Sequence, residues 1–242
     1  MENETNDDND NNTAKDNKIT KILITISILL FLIIIALGIY FYNLIKPPVN
    51  QNINEAMKPI IYIYPQEETN LTVKLGYSEN ITCSYPKYKD GWNIIAKPNG
   101  NLIDLETGRN LYALYWEGLN TENIELDEGF CVKGENSAEF LEQKLSILGL
   151  NEREAEEFIV YWLPILENNK YNIIRFATLD EINSYMPLEI SEKPDSLIRI
   201  LMEFKSSNTY VNLPEQHLET PSRNGFVVVE WGGINLDNNI IK

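Results

Sequence analysis

The pattern of apolar and polar positions changes period four times along this chain of 242 residues. Residues 1–21 are polar almost throughout, and Ile22 to Tyr42 is then an uncharged run broken only by Thr25, Ser27 and Gly38. Period-2 segments fill the stretch from Lys58 to about Asn120, a 3.6-residue period takes over between Asn136 and Leu166, and period 2 returns up to Ile234.

The uncharged run predicts a single membrane-spanning helix over residues 22–45. Its 21 residues at 1.5 Å each give roughly 32 Å of helix, which matches a hydrocarbon core of about 30 Å, and Pro47-Pro48 ends it. Ala36-Leu37-Gly38 has the small-x-small spacing of a signal-peptidase site. The apolar stretch nevertheless continues through Tyr40, Phe41 and Tyr42, which suit the interfacial belt of a retained anchor. Lys15, Lys18 and Lys21 before the run, against Lys46 and Lys58 after it, bias the N-terminus to the cytoplasm. The expected localisation is the cell membrane, single-pass, with the C-terminal domain extracytoplasmic.

Beyond the run, residues 46–57 read as a linker, residues 58–234 as one domain and residues 235–242 as a tail. In the domain, Leu71, Val73, Leu75 and Tyr77 alternate with polar positions, as in a strand with one buried face. Pro59 to Tyr64 is β-branched and aromatic after its proline, which predicts a strand covered on both faces. Further strands are expected at Ile81–Tyr85, Trp92–Lys97, Leu102–Asp104 and Leu111–Glu117, separated by turns at Gly91, Gly100 and Gly108.

Two helices follow. Asn136 with Glu139 and Asn151 with Glu154 have capping-box spacing, Gly149 sits where a C-terminal cap belongs, and Pro164 should kink or shorten the second helix. Their apolar stripes predict a hairpin packed on the sheet. Strands at Tyr171–Thr178, Leu197–Lys205 and Phe226–Trp231 complete the pattern, with a short extra helix at Thr178–Tyr185. The fold class expected is α+β: an N-terminal transmembrane helix, then a β-rich meander or sandwich with an inserted helical hairpin.

Charge narrows the classes of partner. Residues 1–21 hold six acids, three lysines and no aromatic, so they cannot bury enough apolar area to offset ordering and read as a disordered acidic tail. The remaining residues carry 30 acids and 17 bases, about −13, which argues against nucleic acid and anionic lipid surfaces.

Several phrases, Lys58-Pro59-Ile60-Ile61-Tyr62-Ile63-Tyr64-Pro65, Gly91-Trp92, Ala96-Lys97-Pro98-Asn99-Gly100, Tyr115-Trp116-Glu117-Gly118, Tyr161-Trp162-Leu163-Pro164 and Val229-Glu230-Trp231-Gly232-Gly233, resemble an uncharacterised family of exported or membrane-anchored bacterial proteins. The resemblance implies a bacterial cell-envelope setting and no activity.

Candidate chemistry is sparse. His217 is the only histidine, too few for a histidine-based metal site, and Asp104-Leu105-Glu106-Thr107-Gly108 lacks the ligand spacing of a calcium loop, so no cofactor or metal is expected. The sharpest constellation is Trp116-Glu117 and Glu230-Trp231, each a carboxylate beside a tryptophan at a strand end. If the two ends met in a cleft, Glu117 and Glu230 would suit glycoside hydrolysis, with Trp116 and Trp231 stacking on sugar. The alternative is that the glutamates pair with Arg109, Arg175 or Arg199 and the tryptophans fill the core. Cys83 and Cys131 could form a disulfide or stay as buried thiols. The function expected is binding or scaffolding at the envelope, with a polysaccharide or protein partner. A carbohydrate hydrolase and an assembly subunit recruiting through the helical hairpin are the other readings.

Overall fold

The computed structural model describes residues 21, 24–38, 40–41, 54–120 and 123–237, with the backbone alone for 54–58. The acidic tail before Lys21, the linker up to residue 53 and residues 238–242 lie outside the described residues. Two compact units divide the chain between Val49 and Asn50.

In the first unit, residues 24–38 form helix α1, all exposed, with Lys21, Tyr40 and Phe41 also helical. The expected membrane span is not met: among the described residues no helix is long and apolar enough to cross a membrane. Ile22, Leu23, Ile39 and Tyr42, which completed the expected span, lie outside the described residues.

The second unit is α+β. Its strands are β1 (Asn54–Tyr64), β2 (Thr69–Leu75), β3 (Ile81–Tyr85), β4 (Trp92–Ala96), β5 (Leu102–Asp104), β6 (Asn110–Leu111), β7 (Leu114–Asn120), β8 (Phe130–Lys133), β9 (Tyr171–Phe176), β10 (Leu188–Ile190), β11 (Ser196–Ser207) and β12 (Val227–Asn235). Helices α2 (Ser137–Ile147) and α3 (Glu152–Leu166) follow β8, and α4 (Leu179–Tyr185) follows β9. One sheet runs β3-β7-β1-β12-β11-β9-β8 and the other β10-β2-β4-β5-β6. Among the described residues only β11 and β12 pair in parallel.

Alternation decides which layer each side chain joins. Ile61, Ile63, Leu114, Trp116, Leu201 and Val228 of the larger sheet meet Leu71, Val73, Trp92, Ile94 and Leu102 of the smaller one in one core. The other parity, Ile60, Tyr62, Ile200, Met202, Val229 and Trp231, packs with Leu141, Leu145, Phe158, Trp162 and Leu166 of the α2–α3 hairpin. The larger sheet is therefore the middle of three layers, and a strand covered on both faces is apolar at most positions, with any charge in it paired.

β1 begins at Asn54, inside the expected linker and ahead of the strand expected from Pro59, and its pairing shifts between Met57 and Ile60. Pro59, which has no N–H for the ladder, falls within that shift. The Asn151–Glu154 capping box forms, Asn151 Oδ1 accepting from Glu154 N–H at 2.9 Å and Glu154 Oε2 from Asn151 N–H at 2.9 Å. The box expected at Asn136 does not. A 3₁₀ turn over Gly134–Asn136 runs straight into α2, leaving Asn136 at φ −103°, ψ 6° rather than in the extended conformation a capping side chain needs. Pro164 does not end α3, which continues to Leu166. Tyr77 departs from its strand pattern: the chain turns there at φ 50° and the ring is exposed.

Candidate functional site

Register settles the glutamate pair. Ile61 of β1 sits opposite both Glu230 and Leu114, and Ile60 opposite both Trp231 and Tyr115. Side chains in one row across a sheet share a face, so Glu230 lies with Leu114 and Trp116, and Glu117 with Tyr115 and Trp231. The two carboxylates leave opposite faces of one sheet and share no cleft, so the arrangement expected for paired acids is not formed.

Glu230 has structural partners instead. It accepts from Arg199 Nε at 2.6 Å and from Trp116 Nε1 at 2.9 Å. Arg199 also donates to Asn183 Oδ1 at 2.7 Å and to the Met186 carbonyl at 2.8 Å, tying the sheet to α4 and the turn after it. Glu117 stands beside Tyr115, whose phenol is pushed above its ordinary value first by burial and then by that carboxylate. Trp116 is 4% exposed and Trp231 fully buried against Phe158 and Tyr62, so neither presents a ring to a sugar.

A second buried ion cluster lies four residues further along β11, at Glu203. Arg175 donates to Glu203 Oε2 at 2.7 Å and to Glu181 Oε1 at 2.5 Å. Burial opposes the Arg175 cation, but these two carboxylates outweigh it and raise its pKa. Burial also dominates at Glu203, holding its carboxyl above the ordinary value despite Arg175. Glu181 is less enclosed. There the Thr178 backbone N–H and Arg175 overcome desolvation and lower the pKa. The Arg199–Glu230 pair, with Ile182, Tyr185 and Met186, lines a cavity of about 20 Å³, room for about one water.

Cys83 and Cys131 are free. They occupy β3 and β8, the two edges of the seven-stranded sheet. Six interstrand spacings of about 4.8 Å put them about 29 Å apart, whereas a disulfide needs Cα atoms within about 7 Å. Of the two alternatives, the disulfide is therefore excluded, and of the two free thiols Cys83 is exposed rather than buried. Among the described residues no cluster of His, Cys, Asp or Glu could hold a metal ion.

The residues that sequence patterns missed lie at a gap in the larger sheet. β9 has 6 residues and β11 has 12, and they pair only from Met202 to Ser207. From Ser196 to Ile200, β11 has β12 on one side and no strand on the other. Ser196 N–H donates to Phe226 O on the β12 side, and Leu201 O accepts from Ala177 N–H on the β9 side. Alternate residues turn their backbone groups to opposite edges. Leu197 and Arg199 therefore direct N–H and C=O into the gap, where no group among the described residues bonds them.

The outer wall of the gap is the strap that returns from β11 to β12. Gln216, itself buried, clamps it by accepting from Phe176 N–H at 2.9 Å and donating to Phe176 O at 2.7 Å. Arg223 clamps it again with a two-pronged bond to the buried Glu154, at 2.7 and 2.9 Å. Between the clamps, residues 217–222 make no hydrogen bond among the described residues, and Leu218 alone joins the core. The space enclosed is about 370 Å³, lined by Leu148, Leu179, Leu197, Ile198, Leu218 and Pro221, with His217 exposed at its margin. That size is within the range of ligand pockets.

The outer face of the helical hairpin, expected as a recruiting surface, is acidic: Glu139, Glu142, Glu152, Glu156 and Glu167 are exposed there, with Val160 and Ile147 as isolated apolar positions. No protein-family model, curated protein or solved structure matches this chain.

Proposed function

We propose that the domain of residues 54–237 is a binding and scaffolding module of the bacterial cell envelope, and that the gap beside β11 is its ligand site. One observation carries the reading: a mainly apolar space of about 370 Å³ opens onto backbone groups of Leu197 and Arg199 that no group among the described residues bonds, in a strand packed on both faces. Buried backbone polar groups are nearly always satisfied, so a wall of unpaired ones marks a surface that a second molecule completes. The envelope setting rests on the resemblance of the Lys58–Pro65 and Val229–Gly233 phrases. Glu230, Glu203 and Glu154 are each bound to an arginine, which gives them a structural role in place of acid–base work.

The test is selection of a displayed library of random linear peptides on the full chain, with Leu179→Asp as the blocked variant. Leu179 is 44% exposed at the mouth of the gap and opens α4, where an acid is well tolerated. Selected peptides are expected to bind the parent protein and to lose about tenfold or more in affinity for the variant, the cost of a charge beside an apolar ligand. A library that yields no binder, or binders indifferent to Leu179→Asp, would refute the reading.

A further inference from the structure

Resting on the reading of the gap as a ligand site, we infer that its occupant is a three-residue, uncharged, extended segment of a partner polypeptide, flanked by basic residues, which adds to β11 as a strand in line with β9. The backbone chemistry points to polypeptide. Leu197 and Arg199 each offer one donor and one acceptor to the same side, two residues apart, the spacing at which an antiparallel strand presents its own N–H and C=O pairs. A sugar or an apolar small molecule lacks that repeat. Strand addition is an established way for a sheet to recognise extended peptides.

Direction follows from the strand that leaves. β9 runs antiparallel to β11 and departs after Ala177, whose N–H makes the last bond, to Leu201 O. An incoming segment takes up the same line one step further on, with its first and third residues opposite Arg199 and Leu197. Their N–H and C=O bond β11. The middle residue turns its own backbone groups the other way, toward residues 217–222 of the strap, which have no hydrogen bond among the described residues.

Side-chain preference follows from the same parity. The middle side chain points to the hairpin face, among Leu148, Ile198 and Leu218, and must be apolar. The first and third point to the other face, beside Leu179, Leu197 and the Arg199 side chain, whose guanidinium is already bound to Glu230. An acid there would find no free cation, and a base would lose its solvent, so uncharged residues fit. Glu219 in the lining, and Asp180 next to Leu179 on α4, are exposed and make no ion pair among the described residues. With residues 22–242 carrying 30 acids against 17 bases, the rim attracts lysine or arginine on either side of the triplet.

The probe is acetyl-Lys-Lys-Val-Ile-Val-Lys-Lys-amide, labelled and titrated into the full chain by fluorescence anisotropy, with three versions N-methylated at one central residue and one with aspartate flanks. Methylation of the first or third central amide is expected to weaken binding about tenfold or more by removing a donor to β11, and methylation of the middle amide by about threefold or less. Aspartate flanks are expected to weaken it about tenfold or more at low salt. Equal effects at all three amides, or none, would overturn strand addition while leaving the gap a ligand site if Leu179→Asp still abolishes binding. Preserved affinity with aspartate flanks would overturn the basic-flank requirement. Failure of this series and of every library peptide to bind would overturn both the inference and the reading beneath it.

Discussion

Replacing Glu230 with glutamine separates a structural carboxylate from a catalytic one. The Arg199 side chain is fully buried and that of Glu230 is 5% exposed, with 2.6 Å between them. Glutamine keeps an acceptor for Trp116 Nε1 but removes the charge opposite the guanidinium, leaving Arg199 only Asn183 Oδ1 and the Met186 carbonyl. Stripping one partner from a buried pair costs about 3–5 kcal/mol, because the remaining charge stays desolvated and uncompensated. For a domain of this size each kcal/mol moves the melting temperature by about 2–4 °C, so Glu230→Gln is expected to melt roughly 6–20 °C below the parent protein. Urea denaturation followed by tryptophan fluorescence gives the free energy, with Trp116 as a local reporter. The double variant Arg199→Met/Glu230→Leu removes both charges. Its expected cost is about 2 kcal/mol, for partners lost by Asn183, Met186 and Trp116, and so less than the sum of the single changes. A Glu230→Gln protein within about 1 kcal/mol of the parent would refute the structural assignment, since a carboxylate so weakly coupled is not held by its arginine.

Other expectations follow from the same geometry. Glu203 has a raised folded pKa, so its stabilising contribution is fully present below its ordinary value of 4.5 and is lost as pH rises through the folded value. Glu181 is lowered, so its contribution is present above 4.5 and is lost as pH falls through its folded value. Urea midpoints between about pH 3 and 8 should therefore show Glu203→Gln flattening the fall with rising pH and Glu181→Gln flattening the fall with acidification, and unchanged slopes would count against both assignments. A methyl group at Gly233 would meet the Trp162 ring at 2.6 Å and Met202 O at 2.9 Å. Gly233→Ala is accordingly expected to cost about 1–3 kcal/mol in chemical denaturation, and a cost below about 0.5 kcal/mol would show that the layer spacing is adjustable. Intact-mass measurement after thiol alkylation of the denatured chain should find two labels, with Cys83 labelled first in the native protein; a species that takes none would mean the cysteines are bonded after all.

Local structure was legible wherever one rule acted alone. The apolar run Ile60–Tyr64 could only be a strand covered twice, and β1 is sandwiched between two cores. The Asn151–Glu154 spacing specified a helix start because both partners lie within one turn, and the bond forms. Asn136 carried the same spacing and failed, because the backbone arriving from β8 is a 3₁₀ turn, a feature set by the preceding residues. For Ile22–Tyr42, composition and length suggested a membrane span, whereas no helix among the described residues is long and apolar enough to make one.

The candidate site was hidden for a different reason. In sequence, Leu197 and Arg199 belong to a strand like any other, and nothing in β11 tells that its neighbour stops halfway. That depends on where β9 leaves the sheet. Likewise, Glu117 and Glu230 looked equivalent, each a carboxylate beside a tryptophan, until their rows across β1 set them on opposite faces. The sequence by itself determined most of the strands, though not β10 or the break between β6 and β7, together with the hairpin and the parity of side chains within each strand, because these follow from periods of 2 and 3.6 within one segment. Only the tertiary structure decided which strand edges stay open, which charges are paired and which cysteines are neighbours, because pairing partners come from segments far apart in the chain.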